Sequence, residues 1–302
     1  MKFTLRQLKV FAAVAKCSSY TRAAEELYLS QPAVSIQVKQ LEEHVGMALF
    51  EQIGKKINLT PAGKEVQHYC HAIFQQINEM EDVLEAMQGL SSGRLDIAVA
   101  STINYFAPRL LAAFNRRYPN IDLTLEVTNR ETLKKRLEAN EKDIFLMGLL
   151  PEKLDLHAVP FMENPLVVIA PPDHPLTQER NIPLQRLAEE TFLTREAGSG
   201  TRLSTERFFH EKNITLRTGM EMSRNAAIKQ AVRGGMGLAV VSIHTIELEV
   251  ETGRLLILDV EDFPILRTWH IVHLRGKRLS PAAQAFYDFV LGENMQQLIG
   301  SD

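Results

Sequence analysis

The stretch Ser19–Val45, SYTRAAEELYLSQPAVSIQVKQLEEHV, decides the fold of the N-terminal region. It reads as two short helices meeting at a tight turn, the second presenting its N-terminal end outward. Thr21 is a suitable N-cap for the first, and Ala23, Ala24 and Leu27 form a face on which another helix packs closely. Ser30 is expected to cap the second, with Pro32 in its first turn, where the missing N–H costs nothing. Val34, Val38, Leu41 and Val45 then recur at i, i+4, i+7 and i+11, one apolar stripe. The opposite side carries Pro32, Ser35, Ile36, Lys39 and Gln40, with Gln31 at the exposed tip. An isoleucine facing away from the core, beside amides and a hydroxyl, suits a major groove. Glutamine bonds adenine edges, and apolar groups touch thymine methyls. The same periodicity also fits an ordinary helical hairpin with a decorated surface.

On the N-terminal side, Thr4-Leu5-Arg6-Gln7 forms a capping box, and Leu5, Leu8, Ala12 and Ala15 give a helical stripe. The apolar run between Lys9 and Lys16 is too short for a signal peptide, and no small-x-small cleavage site follows it. On the other side, Leu49–Leu59 alternates loosely around Gly54-Lys55-Lys56, which reads as two short strands with a basic tip, a wing. Thr60 then caps a helix predicted from Pro61 to Met87. Its apolar positions Val66, Cys70, Ile73, Ile77, Met80, Leu84 and Met87 alternate spacings of four and three. This is a heptad seam able to pair two chains and set the distance between two reading heads. Cys70 in that seam reads as packing. His68 and His71 lie three apart, but no third ligand is spaced to complete a metal site. Gly89–Gly93 breaks the pattern as a hinge.

The whole chain has 302 residues, enough for two or three units, with 45% hydrophobic and 24% charged residues, ordinary values for a globular protein. Its net charge of −3 conceals an asymmetry: residues 1–60 hold eight Lys/Arg against five Asp/Glu, leaving −6 on the remainder. A mildly basic head on an acidic body fits a DNA-reading module attached to something else. Cys17 and Cys70 stand in no CxxC or metal-like spacing, which points to a reduced, cytosolic setting. No run is long enough to span a membrane as a helix.

From Arg94 strands and helices alternate. Strands are predicted at Leu95–Ala100, Asp122–Val127 and Asp143–Leu146, separated by helices at Ala107–Arg117 and Glu131–Ala139. This βαβαβ order implies a mainly parallel, doubly wound sheet. A second set follows Pro165, with strands at Leu166–Ala170, Thr191–Leu193, Gly219–Met222 and Leu238–Val241, and helices beginning at Arg202 and Ala226. A strand at Arg267–His273 and a helix at Pro281–Leu291 return to the first set. Two lobes joined by crossing strands leave a cleft between them.

Ligands of open α/β sheets sit beyond the carboxyl ends of strands, near helix N-termini. That rule selects Ser101 and Thr102, then Thr128, Asn129 and Arg130. It also selects the segment Thr194–Arg202 and the segment Ser223–Asn225, which precedes the helix carrying Lys229. In Gly198-Ser199-Gly200-Thr201 the glycines let backbone N–H groups approach a ligand, and the hydroxyls stand at a helix start, so an anion is the natural guest. A plain N-cap loop would have the same text. Gly234-Gly235-Met236-Gly237 precedes a strand and lacks the last glycine of a dinucleotide fingerprint. No GxSxG elbow, HExxH, P-loop or supported carboxylate pair occurs, so nothing in the sequence requires catalysis.

Residues 21–63, TRAAEELYLSQPAVSIQVKQLEEHVGMALFEQIGKKINLTPAG, closely resemble the winged helix-turn-helix of LysR-type transcriptional regulators, and the resemblance runs over essentially the whole chain. It implies an α/β protein with an N-terminal all-α winged helix-turn-helix, a long linker helix and a two-lobed, periplasmic-binding-protein-like effector domain. The expected boundaries are 1–60 for the DNA-binding head, 61–88 for the linker, 89–93 for the hinge and 94–302 for the effector domain. Lobe I is expected at about 94–163 and 268–302, and lobe II at about 164–267. The resemblance places Arg22, Ser30, Gln31, Pro32, Ala33, Ser35, Ile36, Lys39, Lys55, Lys56 and Thr60 against DNA. It assigns Ser101, Thr102, Thr128, Asn129, Arg130, Arg195, Ser199, Gly200, Thr201, Asn225 and Lys229 to the effector. It further implies a cytoplasmic homodimer or homotetramer on double-stranded promoter DNA, in touch with RNA polymerase, with no cofactor, metal or membrane. Many relatives have arginine where this chain has Gln52, and often at Lys55.

YFAPRLLAAFNRRYPNIDLTLEVTNRETL, LVVIAPPDHPL, REAGSGTR, AIKQAV and LSPAAQAFYDFV resemble the branch that controls ribulose bisphosphate carboxylase operons and inorganic-carbon uptake. Members of that branch respond to phosphorylated sugars or other anionic metabolites. This chain departs from the branch at Leu149-Leu150-Pro151, where arginine-proline-proline is usual, and at Ala226, where a glutamate is usual. A regulator of amino-acid or sulfur metabolism is the near alternative. A small-molecule binding protein without a DNA role is the alternative of another class, supported by the body and opposed by the basic head. A cytosolic enzyme has only the α/β architecture in its favour.

Overall fold

A computed structural model describes residues 3–53, 56–87 and 93–293. The chain divides into two compact units, with the break inside the long helix after Glu81.

In the N-terminal unit, α1 (Leu5–Cys17) opens with the expected capping box: Thr4 Oγ1 accepts from the Gln7 amide and Gln7 Oε1 from the Thr4 amide. Helix α2 (Tyr20–Glu26) is capped by Ser19 and not by Thr21, a correction to the sequence reading. Ser19 has extended backbone, which aims its hydroxyl at the Arg22 amide, whereas Thr21 already lies within the helix. Tyr28 takes a left-handed conformation, φ 54°, and the chain turns into α3 (Gln31–Val45), capped by Ser30 at its start and by Gly46, φ 79°, at its end. The predicted stripe is the buried one: Val34, Val38 and Leu41 are buried, the two valines among Val10, Val14, Ala23 and Ala24. Fully burying each such aliphatic chain contributes about 1.5–3 kcal/mol, which fixes the rotation of α3.

The Glu42 carboxylate accepts from the Leu49 and Phe50 amides and ties α3 to the hairpin of β1 (Phe50–Ile53) and β2 (Lys56–Leu59). Helix α4 (Pro61–Met87) follows, as predicted. A Cβ on Gly63 would run into the Leu49 carbonyl, so only glycine lets α4 approach this closely. Cys70 packs, as expected, but in the core of the head and not in a seam between chains. Cys70 is buried with Leu8, Phe11, Leu41 and Leu49, and Val66 and Ile73 pack against the same cluster. The first turns of the heptad stripe therefore fill the head's own core. Met80 and Leu84 lie further along and are 55% and 51% exposed. The side chain of Met87, the wing-tip residue Lys55 and hinge residues 89–92 lie outside the described residues.

The second unit holds two five-stranded sheets. Lobe I contains β3 (Gly93–Ala100), α5 (Ala107–Arg117), β4 (Ile121–Thr128), α6 (Arg130–Glu138), β5 (Ile144–Met147) and β6 (Leu156–Glu163). The chain then enters lobe II with β7 (Leu166–Ala170), α7 (Leu184–Leu187), β8 (Thr191–Arg195), α8 (Gly200–Glu211), β9 (Arg217–Met222), α9 (Asn225–Arg233), β10 (Leu238–Ser242), α10 (Glu247–Glu251) and β11 (Leu256–Ile257). It returns to lobe I as β12 (Thr268–Leu274) and α11 (Pro281–Gly292).

The sheet orders are β4-β3-β5-β12-β6 and β11-β7-β10-β8-β9. In each, the three strands carrying βαβ connections are parallel, and the strands next to the crossovers are antiparallel. Strand β6 was not predicted; its Pro160 and half-buried edge position weaken the alternation that marks a strand. The two crossings run side by side, joined by hydrogen bonds between Leu166 and Ile265 in both directions and from the Asn164 amide to the Arg267 carbonyl. Helices cover both faces of each sheet. Phe114, Phe286 and Phe289 pack on one side of lobe I and Leu133 and Leu137 on the other. Phe192 and Phe209 pack on one side of lobe II and Ile228 and Val232 on the other.

Candidate DNA-reading face and effector cleft

With Val34 and Val38 turned inward, α3 exposes Gln31, Pro32, Ile36 and Lys39, and leaves Ala33 and Ser35 half-exposed. Ile36 is 54% exposed. Gln31 Nε2 donates to Ser35 Oγ at 2.8 Å, so the two polar groups form one patch. Lys56 is exposed on β2. Three expected residues are partly committed elsewhere. Thr60 Oγ1 donates to the Ala48 carbonyl and accepts from the Gly63 amide, so its hydroxyl serves the α4 cap rather than a phosphate. Arg22 donates to the Cys17 carbonyl at the end of α1, and Ser30 Oγ accepts from the Ala33 amide. Tyr28 was missed by the sequence reading. It is 96% exposed in the turn that delivers α3, and its one signal was a large aromatic at a turn position.

In the second unit the carboxyl ends of β3, β4 and β5 face the start of α8. Ser101, Thr102, Asn129 and Arg130 from lobe I, with Arg195, Ser199, Gly200 and Thr201 from lobe II, line one small cavity of about 20 Å³, together with Gly148, Arg267 and Trp269. That is room for about one water molecule. A metabolite therefore enters only when the lobes part or side chains swing aside.

Arg130 opens α6, donating from Nε to the Leu149 carbonyl and from Nη2 to the Leu150 carbonyl. Arg267 arrives on the crossing strand and donates from Nη1 to the Gly200 carbonyl. Its buried Nε has no partner among the described residues. Burial, and then the nearby Arg130 charge, hold the Arg267 guanidinium down at about 10. A Cβ on Gly200 would lie 3.7 Å from Arg130 Cδ and 3.8 Å from Arg267 Nη2, so both arginines converge on the first residue of α8. No carboxylate lines the cavity. The first-turn amides of α8 have no intrahelical acceptor, and the Ser199 hydroxyl makes no cap bond there. The buried Trp269 Nε1 also has no acceptor among the described residues. Two cations, several donors and no counter-charge make a receptor for an anion.

The other two cations are arranged differently from the sequence expectation. Arg195 forms a two-point bridge to Glu196 and donates to Asn225 Oδ1 at 2.6 Å and to Ser101 Oγ at 3.1 Å. Its charge is neutralised, and it acts as a strut from lobe II to Ser101 of lobe I. Lys229 Nζ lies 2.8 Å from Glu249 and 2.7 Å from the Thr245 carbonyl, over the Tyr105 ring. Lys229, Asn225 and Thr128 do not line this small cavity. Sequence reasoning did not single out Arg267 and Trp269, which arrive on a crossing strand without a motif, or Gly148, which follows β5. Gly148 is required locally: a Cβ there would stand 2.5 Å from Arg267 Nη2 and 3.1 Å from the Trp269 ring.

A winged helix-turn-helix head, a long helix and a two-lobed α/β body define a ligand-responsive DNA-binding protein. Residues 5–64 match the family described as bacterial regulatory helix-turn-helix protein, lysR family, and residues 88–294 match the LysR substrate binding domain. The chain belongs to the LysR family of transcriptional regulators. Within it the chain is closely related to the carbon-fixation branch. It is 62% identical over 293 residues to the RuBisCO operon transcriptional regulator of Allochromatium vinosum, covering 97% of each chain. It is 44% identical over 291 residues to the transcriptional activator CmpR of Synechocystis, covering 96% of each. The regulatory domain of Synechocystis CcmR, solved in complex with 2-PG, superposes with a TM-score of 0.66 at 46% identity, covering 68% of this chain and 99% of that one. No helix among the described residues is long and apolar enough to cross a membrane.

Proposed function

We propose that this protein controls carbon-fixation genes in response to a small anionic, phosphorylated metabolite held between Arg130 and Arg267. The observation that carries the ligand class is the convergence of these two arginines on Gly200 in a cavity without a carboxylate. The relatives' descriptions support the target class, and the 2-PG complex of the CcmR domain agrees with an anionic effector. In this reading Ser101, Thr102, Asn129, Ser199, Gly200 and Thr201 complete the effector's shell, while Arg195 couples the lobes. Gln31, Pro32, Ser35, Ile36 and Lys39 read the major groove, with Lys56 on adjoining phosphates. Two copies pair through the exposed stretch of α4 beyond Cys70, which gives a dimer or a dimer of dimers on a two-fold promoter site, in the cytoplasm, within reach of RNA polymerase.

The test is binding of the full chain to the intergenic DNA upstream of its neighbouring operon, read by mobility shift and by bend angle, with and without a series of phosphorylated metabolites. A metabolite that changes the bend in the parent, but not in Arg267→Met, supports the reading. Indifference to promoter DNA, or a response to uncharged metabolites only, overturns it.

A further inference from the structure

The end of lobe I away from the effector cleft carries a second concentration of positive charge. Strand β12 runs from the cleft at Trp269 to Leu274, and Arg275, Lys277 and Arg278 follow it before α11 begins. They border an open cavity of about 760 Å³ that has no carboxylate in its lining. Arg275 is paired with Asp155 at the surface, and Lys277 donates to the Lys142 carbonyl near Asp143. Arg278 is exposed and has no ionic partner among the described residues. The N-terminal end of α11, a twelve-residue helix, adds partial positive charge.

The floor is made by His157, His273 and Tyr287. His157 Nε2 lies 2.8 Å from the Tyr287 hydroxyl, and the two imidazoles sit 4.9 Å apart. His273 is only 9% exposed. Its Nδ1 is 2.9 Å from the Leu274 carbonyl and so carries the proton, which leaves Nε2 as a lone-pair acceptor with no partner among the described residues. His273 borders the cavity, where a ligand that brings a proton can meet this lone pair.

We propose that this cavity is a second ligand site, separate from the effector cleft, for the phosphate group of a small molecule. A phosphate whose second ionisation lies near 6 is partly protonated at neutral pH. Its hydroxyl donates to His273 Nε2 while its anionic oxygens accept from Arg278 and Lys277. A carboxylate is fully ionised at that pH and only accepts, so it leaves Nε2 unmet. Burial, with His157 and Lys277 nearby, holds His273 below its ordinary value, so the ring is neutral at pH 7 and in the form this contact needs.

The test uses the full chain carrying Arg130→Ala, which silences the cleft, with histidine ring signals followed by NMR during titration with inorganic phosphate at constant ionic strength. The signals of His157 and His273, assigned with His157→Gln and His273→Gln, should move saturably in the parent and in Arg130→Ala alike. Arg278→Glu should weaken that binding about tenfold or more, leave metabolite binding in the cleft of the otherwise unaltered chain unchanged, and acetate should not saturate. Still signals at tens of millimolar phosphate, loss of the shifts in Arg130→Ala, or full binding in Arg278→Glu would each overturn the site. Equal saturation by acetate would overturn its phosphate class.

Discussion

Replacing Arg267 by methionine should make the unliganded protein more stable and leave it deaf to its effector. The guanidinium is held down at about 10, well below its ordinary value, which amounts to ~3 kcal/mol against the charged form. A base depressed in the folded state carries that full cost at every pH below its folded value, so at pH 7 none of it is relieved. Methionine removes the cost, refills most of the volume and forfeits the Nη1 bond to the Gly200 carbonyl, about 1 kcal/mol. The net expectation is a gain of ~2 kcal/mol in unfolding free energy. The same change deletes one of the two arginines proposed to hold the anion, a charge-assisted bond of about 1.5–3 kcal/mol, or roughly ten- to a hundredfold in effector Kd. Urea unfolding of the ligand-free chain and titration calorimetry with the anionic metabolite read the two halves separately. A variant that is less stable than the parent, yet binds the metabolite equally well, would show that Arg267 is a structural tie and would refute the clamp.

Other outcomes follow from the same geometry. Gln31→Ala and Ser35→Ala should each reduce discrimination between specific and random DNA by about 1–3 kcal/mol, and because the two side chains are hydrogen-bonded the double variant should cost less than the sum of the singles; fully additive losses would place them in separate contacts. Cys70→Ser should destabilise the head by about 1–3 kcal/mol by burying a hydroxyl where burial already holds the thiol up at about 11, without changing the oligomer, whereas Leu84→Glu should break the oligomer in analytical ultracentrifugation and spare the head. Dissociation caused by Cys70→Ser would return that residue to the seam. Burial also holds His270 and His273 below their ordinary 6.5, so their contribution to stability is complete above that pH and is lost as pH falls through their depressed values; His273→Gln should flatten part of the acid limb of a stability–pH curve, and an unchanged limb would count against a neutral buried ring.

What the sequence determined by itself was everything written in local periodicity. The Val34-Val38-Leu41 stripe set which side of α3 faces outward, because side chains four and seven apart share one helix face whatever surrounds them. The strand–helix alternation from Arg94 gave two wound sheets, and the GSGT run marked the start of α8, since capping and glycine chemistry act within a few residues. What only the tertiary structure decided was the partner of each charge and each apolar stripe. Arg195 and Lys229 looked like free cations until residues one to thirty positions away, Glu196, Asn225 and Glu249, neutralised or engaged them. Arg267 joined Arg130 at the cavity because a crossing strand carried it there. Cys70 fell into the head rather than the seam because one heptad stripe can fill its own domain's groove or a partner's, and spacing alone cannot choose between two equally apolar surfaces.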